Sequence, residues 1–146
     1  MAGKSDTFEN ALLLLMFNNS NIANVGDATG IRSSTAAGSL YLSLHTADPG
    51  DAGTQPTNEV TYTSYARVAV ARSGSGFTVT GNAVALAADV VFPAGTGGSG
   101  TATHWGIGLA ASGAGNLLYT GAISPTIATG NGVTPRLTAG TCVTED

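Results

Sequence analysis

Residues 39–55 read SLYLSLHTADPGDAGTQ, and their first seven positions alternate. Leu40, Leu42 and Leu44 fall on one side, with Tyr41, Ser43 and His45 on the other, which is the period-two pattern of a half-buried strand. Asp48, Pro49 and Gly50 follow at once. A short acid that can bond its own backbone, a ring that fixes φ and a residue without a Cβ specify a turn. The same stretch places a serine, a histidine and an aspartate within six positions, at Ser43, His45 and Asp48, which raises the question of a catalytic triad. Same-face neighbours on one strand have Cα atoms about 6.5–7 Å apart. A triad also needs an acid on the second imidazole nitrogen, and no G-x-S-x-G turn surrounds Ser43. Tyr41, Ser43 and His45 are therefore read as the polar face of a strand, and no catalytic residue is expected.

Working outward, the same grammar repeats. YARVAVAR predicts a strand over 65–72, with Val68 and Val70 on one face. SGSG turns the chain into FTVTG, where Phe77 and Val79 share a side. NAVALAADVVFP supplies one or two more strands and stops at Pro93. GTGGSG reads as a flexible loop, followed by strands in TATHWGIGLA and NLLYTGAI and by two weak ones near 135–139 and 141–144. About eight short strands between glycine-rich turns indicate a mainly β protein, an antiparallel β-sandwich or a barrel, with a jelly-roll-like arrangement as one form of it. A single domain is expected over 1–146, with a helical arm at 1–21 and the sandwich at 38–146.

The arm is the one clear helix. Asp6 is placed at its N-cap and Glu9 in capping-box position, and the run Asn18, Asn19, Ser20, Asn21 ends it. Phe8, Ala11, Leu12, Leu15 and Met16 follow the helical period, but Leu13, Leu14 and Phe17 are apolar as well. A helix that is greasy all round is covered all round. One face is expected on its own sheet and another on a partner chain. The longest apolar run, ALLLLMF at 11–17, falls well short of the roughly 20 residues of a membrane span. Asp6 and Glu9 also precede it, against a signal-peptide reading. No membrane partner is expected.

Composition narrows the function further. Charged residues make up 10% of the chain and hydrophobic ones 42%, with 21 glycines in 146 residues. An ordinary soluble domain carries about 25% charge, so much of this surface is expected to be covered by copies of itself or by a larger assembly. The net charge is −4, and the basic residues Lys4, Arg32, Arg67, Arg72 and Arg136 are scattered. No phosphate-binding footprint results, and nucleic acid is not an expected partner. The single cysteine, Cys142, reads as a small buried hydrophobe.

His45 and His104, with Asp48 or Asp89, lack metal-ligand spacing. Asp48, Asp51 and Glu59 lack the dense pattern of a calcium loop. Gly106, Gly108 and Ala111 match G-x-G-x-x-A, but a dinucleotide site needs a βαβ unit that this strand-rich context does not offer. Those glycines are read as turns or as places of close backbone approach. No metal and no cofactor are expected. Trp105 reads as a packing anchor, its rival role being to stack on a sugar near Tyr119, within an aromatic platform drawn from Tyr41, Tyr62, Tyr65, Trp105 and Tyr119.

The segments KSDTFENALLLLMFN, LYLSLHTADPGDAGTQ, YARVAVAR, THWGIG and LLYTGAI together resemble a group of small tailed-bacteriophage proteins described as tail-fibre-like or virion structural proteins. The similarity runs in order over most of the chain, and SLHTADPG is its most specific part. It implies a non-enzymatic component of the virion, assembled in the bacterial host cytoplasm. The expected role is head decoration or cement that stabilises the capsid; the alternative is a tail or tail-fibre-associated part, with contact to host surface glycans as a variant of it. Expected partners are further copies in a homo-oligomer and other phage structural proteins such as the major capsid protein. The candidate interface residues are Phe8, Leu12, Leu15 and Phe17 on the helix, His45, Asp48 and Asp51 around the turn, and Trp105. Asp48, Asp51 and Glu59 are expected to meet arginines of a capsid subunit.

Overall fold

A computed structural model describes residues 3–145. One helix, α1 (Asp6–Asn18), is followed by nine strands: β1 (Ser39–His45), β2 (Val68–Ala71), β3 (Phe77–Thr80), β4 (Ala83–Leu86), β5 (Val90–Val91), β6 (Ser99–Gly108), β7 (Leu117–Gly130), β8 (Arg136–Leu137) and β9 (Thr141–Thr144). The expected class is observed: mainly β, antiparallel, with one N-terminal helix. Among the described residues no helix is long and apolar enough to cross a membrane. The chain gathers into two compact units.

The first unit takes the described chain up to Ser39, with Ala71–Ala88 and the tail from Ala139. Its sheet runs β3-β4-β9. Phe77 pairs with Leu86 and Val79 with Val84 across β3 and β4, and Val143 of β9 sits opposite Val84. The helix packs on β3 and β4. It buries one stripe, Glu9, Leu13 and Phe17, spaced four apart so that they stack on a single face. The Phe17 ring meets Phe77 edge-on at 5.0 Å.

The helix begins one residue earlier than expected. Ser5, not Asp6, is the N-cap, and it makes no side-chain cap bond. Glu9 is buried rather than reaching back as a capping-box acid. At the other end Asn19 adopts a left-handed φ of 56°, and its amide closes on the Leu14 carbonyl. Arg72 then secures the last turn. Its guanidinium donates to the carbonyls of Leu15 (2.6 Å), Met16 (2.7 Å) and Ala37 (3.2 Å) and to Ser34 Oγ (3.2 Å). A cation on the orphan carbonyls of a helix C-terminus satisfies both their hydrogen bonding and the dipole.

The second unit takes Leu40–Val70 and Asp89–Thr138. Its main sheet runs β2-β1-β6-β7, and β5 pairs with β8 as a separate ribbon. In β1 the leucine face is buried as the alternation predicts, but Ser43 and His45 are also 0% exposed. The expected polar, half-buried face is thus a second buried face. The strand expected over 65–72 shortens to Val68–Ala71. Ser64 takes a positive φ of 80°, and Tyr65 and Arg67 commit their side chains to bonds described below. β6 starts inside the supposed flexible loop, at Ser99, and β7 extends to Gly130. Their pairing shifts register twice: Tyr119 faces Ile107 but Leu117 faces Gly108, and Ala122 lies opposite His104 but Ile127 opposite Ala102, so 123–126 stand against Thr103. Pro125, with no amide to donate, sits within that bulge.

Candidate functional site

The end of β1 organises everything around it. After His45 the chain folds back on itself, with Thr46 N–H donating to the Asn58 carbonyl (2.8 Å) and Val60 N–H to the Leu44 carbonyl (3.0 Å). Within this loop the Gly50 amide donates to Asp48 Oδ1 (2.9 Å), and Asn58 Nδ2 donates to the Asp48 carbonyl (3.1 Å). Asp48 therefore closes its own turn, as Asp-Pro-Gly predicts. Gly53 must be glycine, because a Cβ there would stand 2.4 Å from the Pro49 carbonyl oxygen.

Beneath the loop, Ser43 and His45 do meet. Ser43 Oγ lies 2.8 Å from His45 Nε2, and His45 Nδ1 lies 2.8 Å from the Thr57 carbonyl oxygen. A carbonyl only accepts, so Nδ1 carries the proton and the Ser43 hydroxyl donates to Nε2. The spacing that argued against contact fails because the imidazole reaches back along the strand. Burial pushes the His45 pKa below its ordinary value, with the Thr57 carbonyl and Glu59 opposing the shift and Arg67 and His104 adding to it. The pair has the order of a nucleophile and its base, with a backbone carbonyl where a triad needs an acid. Both residues are wholly buried, so no substrate carbonyl reaches Ser43 Oγ in this conformation.

The glycines of β6 make room for this layer. A Cβ on Gly106 would come within 2.6 Å of His45 Nε2 and 2.7 Å of Ser43 Oγ. One on Gly108 would stand 2.1 Å from Cδ of Gln55, which is itself fully buried. Gln55 Nε2 donates to the Ala110 carbonyl (3.2 Å) and Gln55 Oε1 accepts the Ala110 amide (2.8 Å). Gly106 and Gly108 thus serve close approach, as expected, although what approaches is side chain rather than backbone.

The strongest electrostatic feature lies beside them. Arg67 grips Glu59 with both arms of its fork, Nε to Oε1 and Nη2 to Oε2, each at 2.7 Å. The same guanidinium donates to the carbonyls of Ala110 and Gly113, each at 3.0 Å. Tyr65 Oη donates to Glu59 Oε1 (2.8 Å) and accepts the Leu44 amide (3.1 Å). The side chains of Arg67 and Glu59 are 3% and 14% exposed, which makes this a largely desolvated bidentate pair. The hydrogen bond to Glu59 raises the Arg67 pKa further, and burial raises that of Tyr65. A cavity of about 230 Å3 opens over the cluster, lined also by Ala66, Ala111 and Ser112. Its charged groups are consumed by one another and by main chain, so the arrangement holds loops 46–59 and 109–116 on the sheet.

Residues 3–145 match the family described as podophage GP4 fiber I protein gp80. The chain belongs to that family. No curated protein matches it. The gp80 family is a phage structural one, fibre-related by description, and the chain is accordingly a virion component.

In this gp80-family chain the candidate interface residues divide by burial. Asp48 and Asp51 are exposed, Phe8 is 42% exposed, and Leu12, Leu15 and Trp105 are half-buried. Phe17 and His45 are 0% exposed. Phe17 is held in by Phe77, and His45 by Ser43 and Thr57. Glu59 faces an arginine of its own chain, Arg67. The two histidines, distant in sequence, stand opposite each other on β1 and β6. His45 is saturated, and His104 Nδ1 is engaged by Thr103 Oγ1 at 2.9 Å. Among the described residues no three His, Cys, Asp or Glu side chains gather as a metal site. The aromatic platform does not assemble as one surface: Tyr62 is buried, and Tyr65 packs against it and stacks on Phe92. Trp105 instead lies across Gly121, where a Cβ would come within 2.4 Å of the indole. Burial pushes the Cys142 thiol up to about 11, away from reactive thiolate chemistry.

Sequence reasoning missed Gln55 and the Arg67–Glu59–Tyr65 cluster. A single buried arginine needs an acid, and Glu59 lies eight residues away in a loop. The available signal was the shortage of charge itself, since in so uncharged a chain a buried arginine needs a specific partner.

Proposed function

We propose that the chain is a non-enzymatic structural subunit of the fibre or tail region of a podophage, acting through protein–protein contacts. The observation that carries this reading is the family match over residues 3–145, whose description is of a fiber protein. The buried, self-satisfied polar layer around His45, Gln55 and Arg67 supports a structural role, because it holds its loops in fixed positions. The exposed Phe8, with Leu12 and Leu15 beside it on the helix, supports contact with further copies of the chain. Head decoration, which the composition suits equally, becomes the competing location. Gold-labelled antibody on intact particles tests the two: label along the tail or its fibres is expected, and label over the head shell would return the decoration reading to first place.

A further inference from the structure

Ser43 and His45 are 0% exposed, and so is Gln55. The burial that keeps an outside substrate from the serine leaves it facing groups enclosed with it. Ser43 stands opposite Gly106 and Tyr41 opposite Gly108 across β1 and β6. The two glycines share a face of β6, with Cα atoms about 6.5–7 Å apart. Other side chains fill the space they leave. A Cβ on Gly106 would stand 2.7 Å from Ser43 Oγ and 2.6 Å from His45 Nε2, and one on Gly108 would stand 2.1 Å from Gln55 Cδ. A hydroxyl bonded to an imidazole and a primary amide therefore occupy neighbouring places in one closed layer.

That layer holds the parts of an acyl transfer. The Ser43 hydroxyl has a base in His45 Nε2 at 2.8 Å. The Thr57 carbonyl, 2.8 Å from His45 Nδ1, fixes the tautomer whose Nε2 can take a proton. The Gln55 amide has an oxyanion donor, because the Ala110 N–H donates to Oε1 at 2.8 Å. Gln55 Nε2, the leaving group, donates to the Ala110 carbonyl (3.2 Å). Arg67 Nη1 donates to the same carbonyl (3.0 Å), so that oxygen keeps a partner when the nitrogen departs.

We propose that Ser43 and Gln55 join in an intramolecular ester, formed once by the chain acting on itself. The Gln55 amide pivots on the Ala110 N–H toward Gly106. Ser43 Oγ attacks Cδ, and His45 Nε2 takes the hydroxyl proton. The tetrahedral adduct, its oxyanion held by the Ala110 N–H, collapses with cleavage of the bond between Cδ and Nε2 of Gln55. His45 passes the proton to the departing nitrogen, which leaves as ammonia. An Oγ–Cδ ester remains, with no oxidant or co-reactant consumed. Ammonia escapes to solvent, and exclusion of water protects the ester from hydrolysis. The bond ties the 46–59 loop to β1 covalently. This self-modification goes beyond the fibre reading and stands whether the particle carries the chain on its tail or its head.

The purified full chain is denatured and weighed by mass spectrometry. Nearly every molecule should be lighter than its sequence requires by one ammonia. Trypsin cuts after Arg32 and Arg67, which leaves Ser43 and Gln55 together in the peptide 33–67. That peptide should carry the whole deficit and yield no fragment ions from backbone cleavage between 43 and 55. Hydroxylamine should open the ring and restore those fragments, and Ser43→Ala should have full mass. A native chain of full mass would overturn the assignment without any variant. So would a continuous fragment series between 43 and 55, a deficit that persists in Ser43→Ala, or one confined to the peptide 73–136, where Asn131 precedes Gly132 and can lose ammonia by itself.

Discussion

Arg67 and His45 carry opposite kinds of risk. The Arg67–Glu59 pair is nearly desolvated, and removing one partner leaves the other's charge stranded. Arg67→Ala should cost about 3 kcal/mol in denaturant unfolding, and a cost below about 0.5 kcal/mol would show that the pair behaves as an exposed one. His45 is held neutral, its pKa lowered by burial. The unfolded chain therefore binds a proton at higher pH than the folded one does. Stability is complete above the ordinary histidine range, near 6.5, and is lost as pH falls from there toward the folded value. The loss should approach about 1.4 kcal/mol per pH unit for one proton. Melting temperatures between pH 7.5 and 5 should show this slope in the native chain and a flatter one in His45→Asn. An equal slope in both would assign the titration elsewhere.

Elements depend on contacts that single residues make far along the chain. β6 lies close to the loops only because Gly106 and Gly108 lack side chains. Gly108→Ala would drive a methyl into Gln55 and should destabilise by about 2–3 kcal/mol. Gly74→Ala, where nothing lies within 4 Å, should be close to neutral under the same chemical denaturation. The helix is anchored by Arg72 at its final carbonyls. Arg72→Ala should expose amides of its last turn to hydrogen exchange before the β3-β4-β9 sheet opens, at a cost of about 2 kcal/mol. Simultaneous opening of helix and sheet would instead show that the Leu13–Phe17 stripe alone sets the helix's stability.

For the whole molecule the question is what covers the apolar surface left outside. Phe8, Val25, Ile31, Val91 and Leu109 are each more than 40% exposed, in a chain with little charge to keep copies apart. Self-association through the helix predicts a concentration-dependent sedimentation coefficient that Phe8→Lys reduces to that of the monomer. Sedimentation as a monomer at every concentration would leave the covering surface to a different virion protein.

The β class, the buried leucines of β1, the Asp-Pro-Gly turn and the asparagine end of the helix were legible in the chain because each is governed by neighbours within a few positions. Period, turn chemistry and left-handed caps are local effects. The second buried face of β1 was not legible, since polarity reports exposure only where no partner is supplied, and Gly106 and the Gln55–Thr57 loop come from segments far apart in the chain. Nor was the Arg67–Glu59 pairing, because a loop's path is set by what it can bond once the sheet exists. Local rules specify which elements form. Burial and the satisfaction of polar groups are nonlocal, so the roles of Ser43, His45 and Arg67 emerged when distant strands were brought to within hydrogen-bond reach.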